Sequence, residues 1–434
     1  MTINATAIWR VCPSGSNTNG GGYDPGISGA ATDYSRQNAA QATGTHGTTV
    51  GTTTFTDLTA LAFTAAMIGN AIYITGTGQT TGWYFVTAFT SSSIVTLDRS
   101  PGTGTLATWN LGGGWADPWT NLTSSGPLVP GNIVYVLGSG TPNPASYTYD
   151  YDTGGDFTLT SGNDTAGYVT IANDPSTPGY KAPPDTTGGM PCIRTGGLVY
   201  ILAGYNKLQG LFFVLNGTSG NNVLFFTSTN PTVITGCVCD QFGNDCGFTF
   251  QDGTLALFGN EVFTSVAPGS SGSKYAINID SINTTIIGNN IHDTVGPGIL
   301  ANRGAFIEGN IIAKCRGVGL LLSDSSAFPI TVVRGNTIDG NLGNGMEVSS
   351  QVTLSYAAIQ NNNITNHTQS GTYGFTVDAG TAAANSLVAL LFDNQVWQGN
   401  TTDVNAINKG PHDTTPPSSP SIYVNQSTEN YTLA

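Results

Sequence analysis

The sequence predicts an all-β solenoid, and two observations carry that reading. Between Leu208 and Val396 one short pattern, apolar-x-[Gly/Asn/Asp]-x-x-apolar, keeps returning. Its clearest copies are Leu257-Phe258-Gly259-Asn260-Glu261-Val262, Ile286-Ile287-Gly288-Asn289-Asn290-Ile291, Ile307-Glu308-Gly309-Asn310-Ile311-Ile312 and Val333-Arg334-Gly335-Asn336-Thr337-Ile338. Weaker copies are centred on Leu211, Cys237, Asn362 and Asn394, so successive centres lie 26, 23, 29, 21, 26, 26 and 32 residues apart. A variable period of this size without a 3.6-residue helical pattern means one coil per repeat.

The columns of the repeat supply the physics. Three residues before each centre stand Leu208, Ile234, Leu257, Ile286, Ile307, Val333, Ile359 and Leu391, and two after it stand Phe213, Cys239, Val262, Ile291, Ile312, Ile338, Ile364 and Val396. Both columns are expected to point inward. Just before the centre come Gly210, Gly236, Gly259, Gly288, Gly309, Gly335, Asn361 and Asp393, residue types that tolerate a left-handed backbone, so this column is a turn. The centre is Asn at 260, 289, 310, 336, 362 and 394, and stacked Asn side chains can hydrogen-bond from coil to coil. A second strand follows each turn through Gly247-Phe248, Ala276-Ile277, Gly298-Ile299, Gly319-Leu320, Gly345-Met346 and Gly374-Phe375. One such coil cannot bury enough surface to fold alone. Stacking supplies ladder bonds and a covered face on both sides.

The other elements follow in chain order. Residues 1–44 read as the N-terminal lead-in of the solenoid, with a short strand at Ala7-Ile8-Trp9-Arg10-Val11 and a Gly/Asn-rich loop ending at Tyr23-Asp24-Pro25-Gly26. Its continuation comes much later, at Asp117 to Leu122 and Val129 to Val136. Residues 45–111 between them read as an inserted antiparallel β module, with strands at Asn70 to Thr75, Gly82 to Thr90 and Ser93 to Asp98 and an apolar alternation at Ile72, Ile74, Tyr84 and Val86. The solenoid proper spans 112–410, its first coils within 137–205. Beyond Gly410 the period stops, and 411–434 is a Pro-rich extended arm, expected to dock on a neighbouring subunit because a free tail frays.

The repeat resembles the parallel β-helix repeat of the pectate-lyase-like superfamily. That resemblance implies a right-handed coil, as does the general rule for parallel crossovers. A leucine-rich repeat would need a helix-compatible segment in each coil, and these coils are too rich in Gly, Asn and Thr. Asp117 to Leu122 followed by Val129-Pro130-Gly131-Asn132 is similar to the opening of many surface β-helix proteins, and the Thr96 to Arg99 strand of the insertion is similar to modules of phage structural proteins, so the chain most resembles phage virion β-helix proteins.

Composition narrows the function classes. Only 9% of the 434 residues are charged and the net charge is −14. The 12 Lys plus Arg form no basic run, which disfavours nucleic acid, and no 18-residue apolar stretch exists to insert in a membrane. The N-terminus lacks the features of a secretory leader, so assembly in a host cytoplasm is expected. The six cysteines fit buried free thiols; Cys237, Cys239 and Cys246 lack a fourth ligand at zinc spacing.

Few residues invite chemistry. Asp150, Asp152, Asp156 and Asp164 suggest calcium, but Gly154 holds the fifth position and no Glu closes the loop, so a solvated acidic turn is favoured. Glu347 and Asp378 lie on outward positions of adjacent coils, with Cα atoms ~8 Å apart from ladder and rise spacings, near the ~6.5–9.5 Å of an inverting glycosidase's carboxyls. Asp378 precedes Ala379-Gly380, where a polar turn residue is expected anyway. Glu308 and Arg334 form a ladder ion pair, and Asp293 stacks near Lys314. His292-Asp293 and His412-Asp413 have no nucleophile motif beside them.

No cofactor, metal or catalytic residue is assigned from the sequence. The only site residues are those of the turn ladder: Gly259, Asn260, Gly288, Asn289, Gly309, Asn310, Gly335, Asn336, Asn362 and Asn394. The profile, together with the resemblance, implies a non-enzymatic structural protein of a tailed-phage particle. It would be a capsid decoration protein or a tail spike on the virion surface, a homotrimer partnered by the major capsid protein. The alternative is a polysaccharide lyase or hydrolase, or a glycan-binding β-helix facing a host surface glycan.

Overall fold

The computed structural model describes residues 3–433 except 118, 123–125, 141–147, 152–158, 160, 184, 196–198, 202–203, 216–223, 227–229, 241–246, 265–274, 282, 324–329, 350–355, 378–389, 407, 418–422 and 426–429. Three long parallel sheets of 12, 10 and 9 strands run along the chain. From Val169 on, each of nine coils contributes one strand to each sheet; the first sheet is lengthened by Ile133–Val136, by Ile8–Val11 and by the antiparallel Gly22–Tyr23, and the second by Tyr149–Tyr151. In the Asn260 coil these are Leu255–Phe258 in the first sheet, Glu261–Phe263 in the second and Ile277–Asp280 in the third. Side chains alternate about each strand. Hence Leu257, Ile286, Ile307, Val333 and Ile359 stack in register inside the first sheet, and Val262, Ile291, Ile312, Ile338 and Ile364 inside the second. All ten are fully buried.

The last coil departs from the sequence reading by one residue. The ladder register sets Phe392, not Leu391, opposite Ile359, and Trp397, not Val396, opposite Ile364. Trp397 is fully buried while Val396 is half-buried. The physical reason is size: at the end of the stack one large indole closes a core that has no further coil to cover it.

The N-terminal strand Ile8–Val11 pairs in parallel with Ile133–Val136, so the chain leaves the solenoid and returns to it. The excursion is a closed six-stranded barrel whose strands run from Ala42 to Leu111. It starts ahead of the expected boundary at 45, because Ala42 already pairs with Leu111. Phe55, Phe63 and Trp109 fill its core, with Phe63 stacked on Trp109 at 4.8 Å between ring centroids. The buried carboxylate of Asp57 accepts from Trp109 Nε1 at 2.8 Å and from the amides of Thr59 and Ala60 at 2.9 Å.

Aromatic rings join barrel to solenoid. Trp9 of the first strand stacks on Trp115 at 4.9 Å and meets Phe85 of the barrel edge-on at 5.5 Å. Gly21 makes this approach possible: its φ is +72°, and a Cβ there would sit 2.1 Å from Trp115 Nε1. Arg10, 3% exposed, is paired with Asp33 at 3.3 Å and with Asp174, tying the segment before the barrel to the first complete coils.

The C-terminal arm docks on its own chain. Thr414 bridges to the last second-sheet strand, exchanging 2.9 Å bonds with Gln395 and Trp397, and the Gln398 side chain donates to Pro417 O. Farther along, Tyr423 packs on Ala313 and Ile311 and its hydroxyl lies 3.2 Å from Thr365 Oγ1. The arm therefore runs back over the outer face of the second sheet. This satisfies edge groups of the final coil that would otherwise face solvent.

Candidate functional site

The predicted turn residues form a continuous structural ladder. Gly259, Gly288, Gly309 and Gly335 have φ of 56°, 64°, 63° and 63°, and Asn361 continues the column at 58°. The amide N of Asn260 donates to Asn289 Oδ1, that of Asn289 to Asn310 and that of Asn310 to Asn336, each at 2.9 Å. Asn336 N reaches Asn362 Oδ1 at 3.0 Å. Each side-chain amide also donates backward, as Asn310 Nδ2 does to Ile286 O at 2.9 Å. Asn394 is not in this ladder. It has φ 58° and takes the turn position, and the ladder acceptor is Gln395 Oε1, 3.0 Å from Asn362 N. Asp413 Oδ1 of the arm then accepts from Gln395 N at 2.8 Å and terminates the run.

A second ladder, which the sequence reading missed, lies at the turn leaving the second sheet. Its left-handed column is Asp293, Lys314, Gly340, Asn366 and Gly399, with φ from 47° to 71°. The residue after each is Thr294, Cys315, Asn341, His367 and Asn400. Cys315 N donates to Asn341 Oδ1 at 2.8 Å, His367 N to Asn400 Oδ1 at 3.0 Å, and His367 Nε2 sits 3.3 Å from Ile338 O. His367 is fully buried, and burial holds its imidazole below its ordinary pKa despite the nearby carbonyls and Asp339. The available signal was the recurrence of Asn341 and Asn400 five residues after the first-ladder members Asn336 and Gln395.

Among the described residues the candidate catalytic side chains do not assemble into a reaction centre. Glu347 lies on the outer face of the third sheet and accepts from Asn344 Nδ2 at 2.9 Å. Asp378, its expected partner, is outside the described residues, as are Asp152, Asp156 and the side chain of Asp150. Asp164 sits on an exposed turn. His292 is held between Glu261 at 3.1 Å and Asp293 at 3.0 Å with Phe263 stacked on its ring at 5.5 Å. Glu308 and Arg334 make a two-pronged surface pair at 2.9 and 3.1 Å. His412 bonds Asp393 at 2.6 Å, while Asp413 accepts from Trp397 Nε1 at 2.9 Å. These contacts position coil and arm.

Cysteine chemistry is suppressed by burial, which pushes the Cys237 and Cys315 thiols up to about 12. Among the described residues no three or more His, Cys, Asp or Glu converge as metal ligands, and Cys246 is outside them.

Among the described residues a cleft of about 670 Å³ opens where lead-in, barrel and first coils meet. Ile3, Ile27, Phe85 and Val129 give it apolar walls, and Asp24 and Asp98 bring carboxylates to it. Both carboxylates are fixed: Asp24 Oδ1 accepts from Thr6 Oγ1 at 3.0 Å and Gly26 N at 2.9 Å, and Asp98 Oδ1 accepts from Phe85 N at 2.9 Å. The amides of Asn4 and Asn163 line the same opening. No sequence pattern announces this cleft, because its walls come from segments between Ile3 and Ala166 that meet only after the barrel is inserted.

The sequence family described as a right-handed beta helix region matches residues 214–389. No curated protein matches the chain in sequence. Similar solved structures include a periplasmic alginate epimerase, 12% identical over 66% of this chain and 76% of that one with a TM-score of 0.31. Another is the A-module of an Azotobacter vinelandii mannuronan C-5 epimerase, 12% identical over 65% and 91% with a TM-score of 0.30. A third is the catalytic unit of an α-1,3-glucanase from Streptomyces thermodiastaticus, 13% identical over 88% and 87% with a TM-score of 0.26. With the family match lying on the coils whose three sheets, turns and ladders are described above, the chain is a right-handed parallel β-helix carrying a small antiparallel β module.

Proposed function

We propose that the chain is a polysaccharide-binding β-helix protein that holds a short stretch of uncharged glycan in the cleft between barrel and solenoid. The observation that carries this is the cleft itself: about 670 Å³, apolar walls, and a few prefixed polar groups, the usual make-up of a small-ligand site. Sugars present both apolar C–H faces and hydroxyl donors, so the half-buried Ile27 and Val129 fit the former and the half-buried carboxylate of Asp98, paired with Arg99, the latter. The net charge of −14 sets the preference against polyanionic chains.

The test is calorimetric titration of the purified chain with neutral and acidic polysaccharide fragments, alongside Ala166→Trp, which fills the opening. Binding of a neutral fragment that weakens at least tenfold in Ala166→Trp, with an unchanged melting temperature, is the expected result. Equal binding by Ala166→Trp, or no binding across the panel, overturns the reading. Reducing-end release abolished by Glu347→Gln would place turnover on the third sheet instead.

The second reading is the structural particle component expected from the sequence, on a virion surface and self-associated. The observation favouring it is the half-buried outward column Val233, Ala256, Phe306, Val332 and Ala358 on the first sheet.

A further inference from the structure

We infer that the glycan path continues from the cleft along the solenoid axis onto the rings of Tyr168 and Tyr205, an aromatic subsite for a neutral sugar chain too long for the cleft alone. This rests on the reading of the cleft as a glycan site. On its solenoid side the cleft is walled by Ile3 to Ala5, by Val129 and Pro130, and by Asn163 and Ala166, which lie in the turns leading into the first-sheet strands Ile8–Val11, Ile133–Val136 and Val169–Asn173. Those strands are successive rungs. Their turns are bonded to one another, with Asn132 Nδ2 donating to Asn4 O at 2.9 Å and Gly131 N to Tyr168 O at 3.2 Å. The cleft therefore runs with the axis, over stacked turns.

The same column carries on past the cleft. The ladder register sets Gly131, Tyr168, Tyr205, Pro231, Thr254 and Asn283 at one position of successive turns. Beside the cleft that position is a glycine, and one and two rungs farther, at ~4.8 Å per rung, it is a tyrosine. The two rings meet at 6.0 Å between centroids and 64°, and both are half-buried, so each leaves part of its surface to solvent. Such a ring offers an apolar face to the C–H face of a sugar and a hydroxyl to its polar edge.

Backbone geometry gives no reason for a ring at 205. Tyr205 has a φ of +54°, a left-handed conformation that residues with a Cβ resist, whereas Asn283 fills the equivalent position of a later turn at 59° with a residue type that tolerates it. Strain of this kind is a pointer to function. The residue is also held on both sides, with Tyr205 N donating to Pro231 O at 2.7 Å and Val169 N to Tyr205 O at 3.0 Å, so the ring is placed before any ligand arrives.

The experiment is calorimetric titration of the full chain with neutral gluco- and galacto-oligosaccharides graded from dimer to octamer, for the wild type, Tyr205→Asn and Ala166→Trp, with melting temperatures alongside. Wild-type affinity is expected to rise with length and then level off. Tyr205→Asn should lose about fivefold on the long fragments, the worth of one aromatic contact, with the shortest fragments unaffected and the melting temperature held or raised. Affinity independent of length, a length gain that Tyr205→Asn leaves intact, or an equal loss at every length with a lower melting temperature overturns the inference. In each of those cases short-fragment binding that Ala166→Trp weakens leaves the cleft reading standing. No binding at any length overturns both.

Discussion

The two turns that frame the second sheet have the same backbone and different chemistry. Each places a left-handed residue before a ladder residue, coil after coil. The first turn fills those places with Gly then Asn, and its side chains also bond one another, as Asn289 Nδ2 does to Asn310 Oδ1 and Asn310 Nδ2 to Asn336 Oδ1, both at 2.9 Å. The second turn fills them with Asp, Lys, Gly or Asn and then Thr, Cys, Asn or His, and apart from one bond between the Cys315 and Thr294 side chains its bonds run from side chain to backbone. Identical geometry therefore does not demand identical residues. A uniform ladder adds a chain of side-chain bonds that a mixed one lacks.

That difference predicts unequal costs. Asn310→Ala removes the acceptor for Asn289 N and the donor to Ile286 O, leaving two buried groups unsatisfied at about 1–3 kcal/mol each, plus two side-chain bonds. It is expected to destabilise by about 4 kcal/mol in denaturant unfolding. Asn341→Ala strips Cys315 N and Ile312 O of partners but breaks no side-chain bond, so about 2–3 kcal/mol is expected. Equal losses would contradict the comparison.

His367→Asn sharpens it by making the second ladder more like the first. Burial depresses the His367 pKa below its ordinary 6.5, so the unfolded chain binds the proton more readily. The stability tied to neutral His367 is fully present above pH 6.5 and is lost as pH falls from there through the lower folded value. His367→Asn should therefore flatten the fall in melting temperature between pH 7.5 and 5. An unchanged slope would show that the buried imidazole is not the acid-sensitive group.

The smallest effect belongs to the arm. Hydrogen bonding to Asp393 raises the pKa of His412, which is fully exposed. Its contribution is present below pH 6.5 and disappears as pH rises through the folded value, opposite in sign to His367. The hydrogen-exchange protection of the amides of residues 412–415, taken relative to the base-catalysed intrinsic rate at each pH, should be lower at pH 8 than at pH 6, and His412→Ala should remove that difference without moving the global melting temperature.

Legibility followed chemical uniformity. The first ladder could be read because Gly-Asn repeats at a spacing no helix uses, and the inward columns because Leu257, Ile286, Ile307, Val333 and Ile359 are all aliphatic. The second ladder could not, since Cys315 and His367 look like an isolated thiol and an isolated imidazole until the coils are stacked. Asp393-Asn394-Gln395 offers three residues that all suit a turn or a ladder, and only the register set by Trp397 and Asp413 selects Gln395. The arm was expected on a neighbouring subunit; Tyr423 and Thr414 instead find partners within the chain. The cleft lay beyond sequence reasoning because Ile3, Asp24, Phe85, Val129 and Asn163 are neighbours only in space.

The most direct test of the proposed function is a hydrogen-exchange footprint of the full chain with and without a saturating neutral glycan fragment. The account predicts protection confined to the amides around Ile3 to Ala5, Asp24 to Ile27, Phe85 to Thr87, Val129 to Gly131 and Asn163 to Gly167, the segments that wall the cleft. Protection centred on the third sheet around Glu347, or none at saturation, would contradict it.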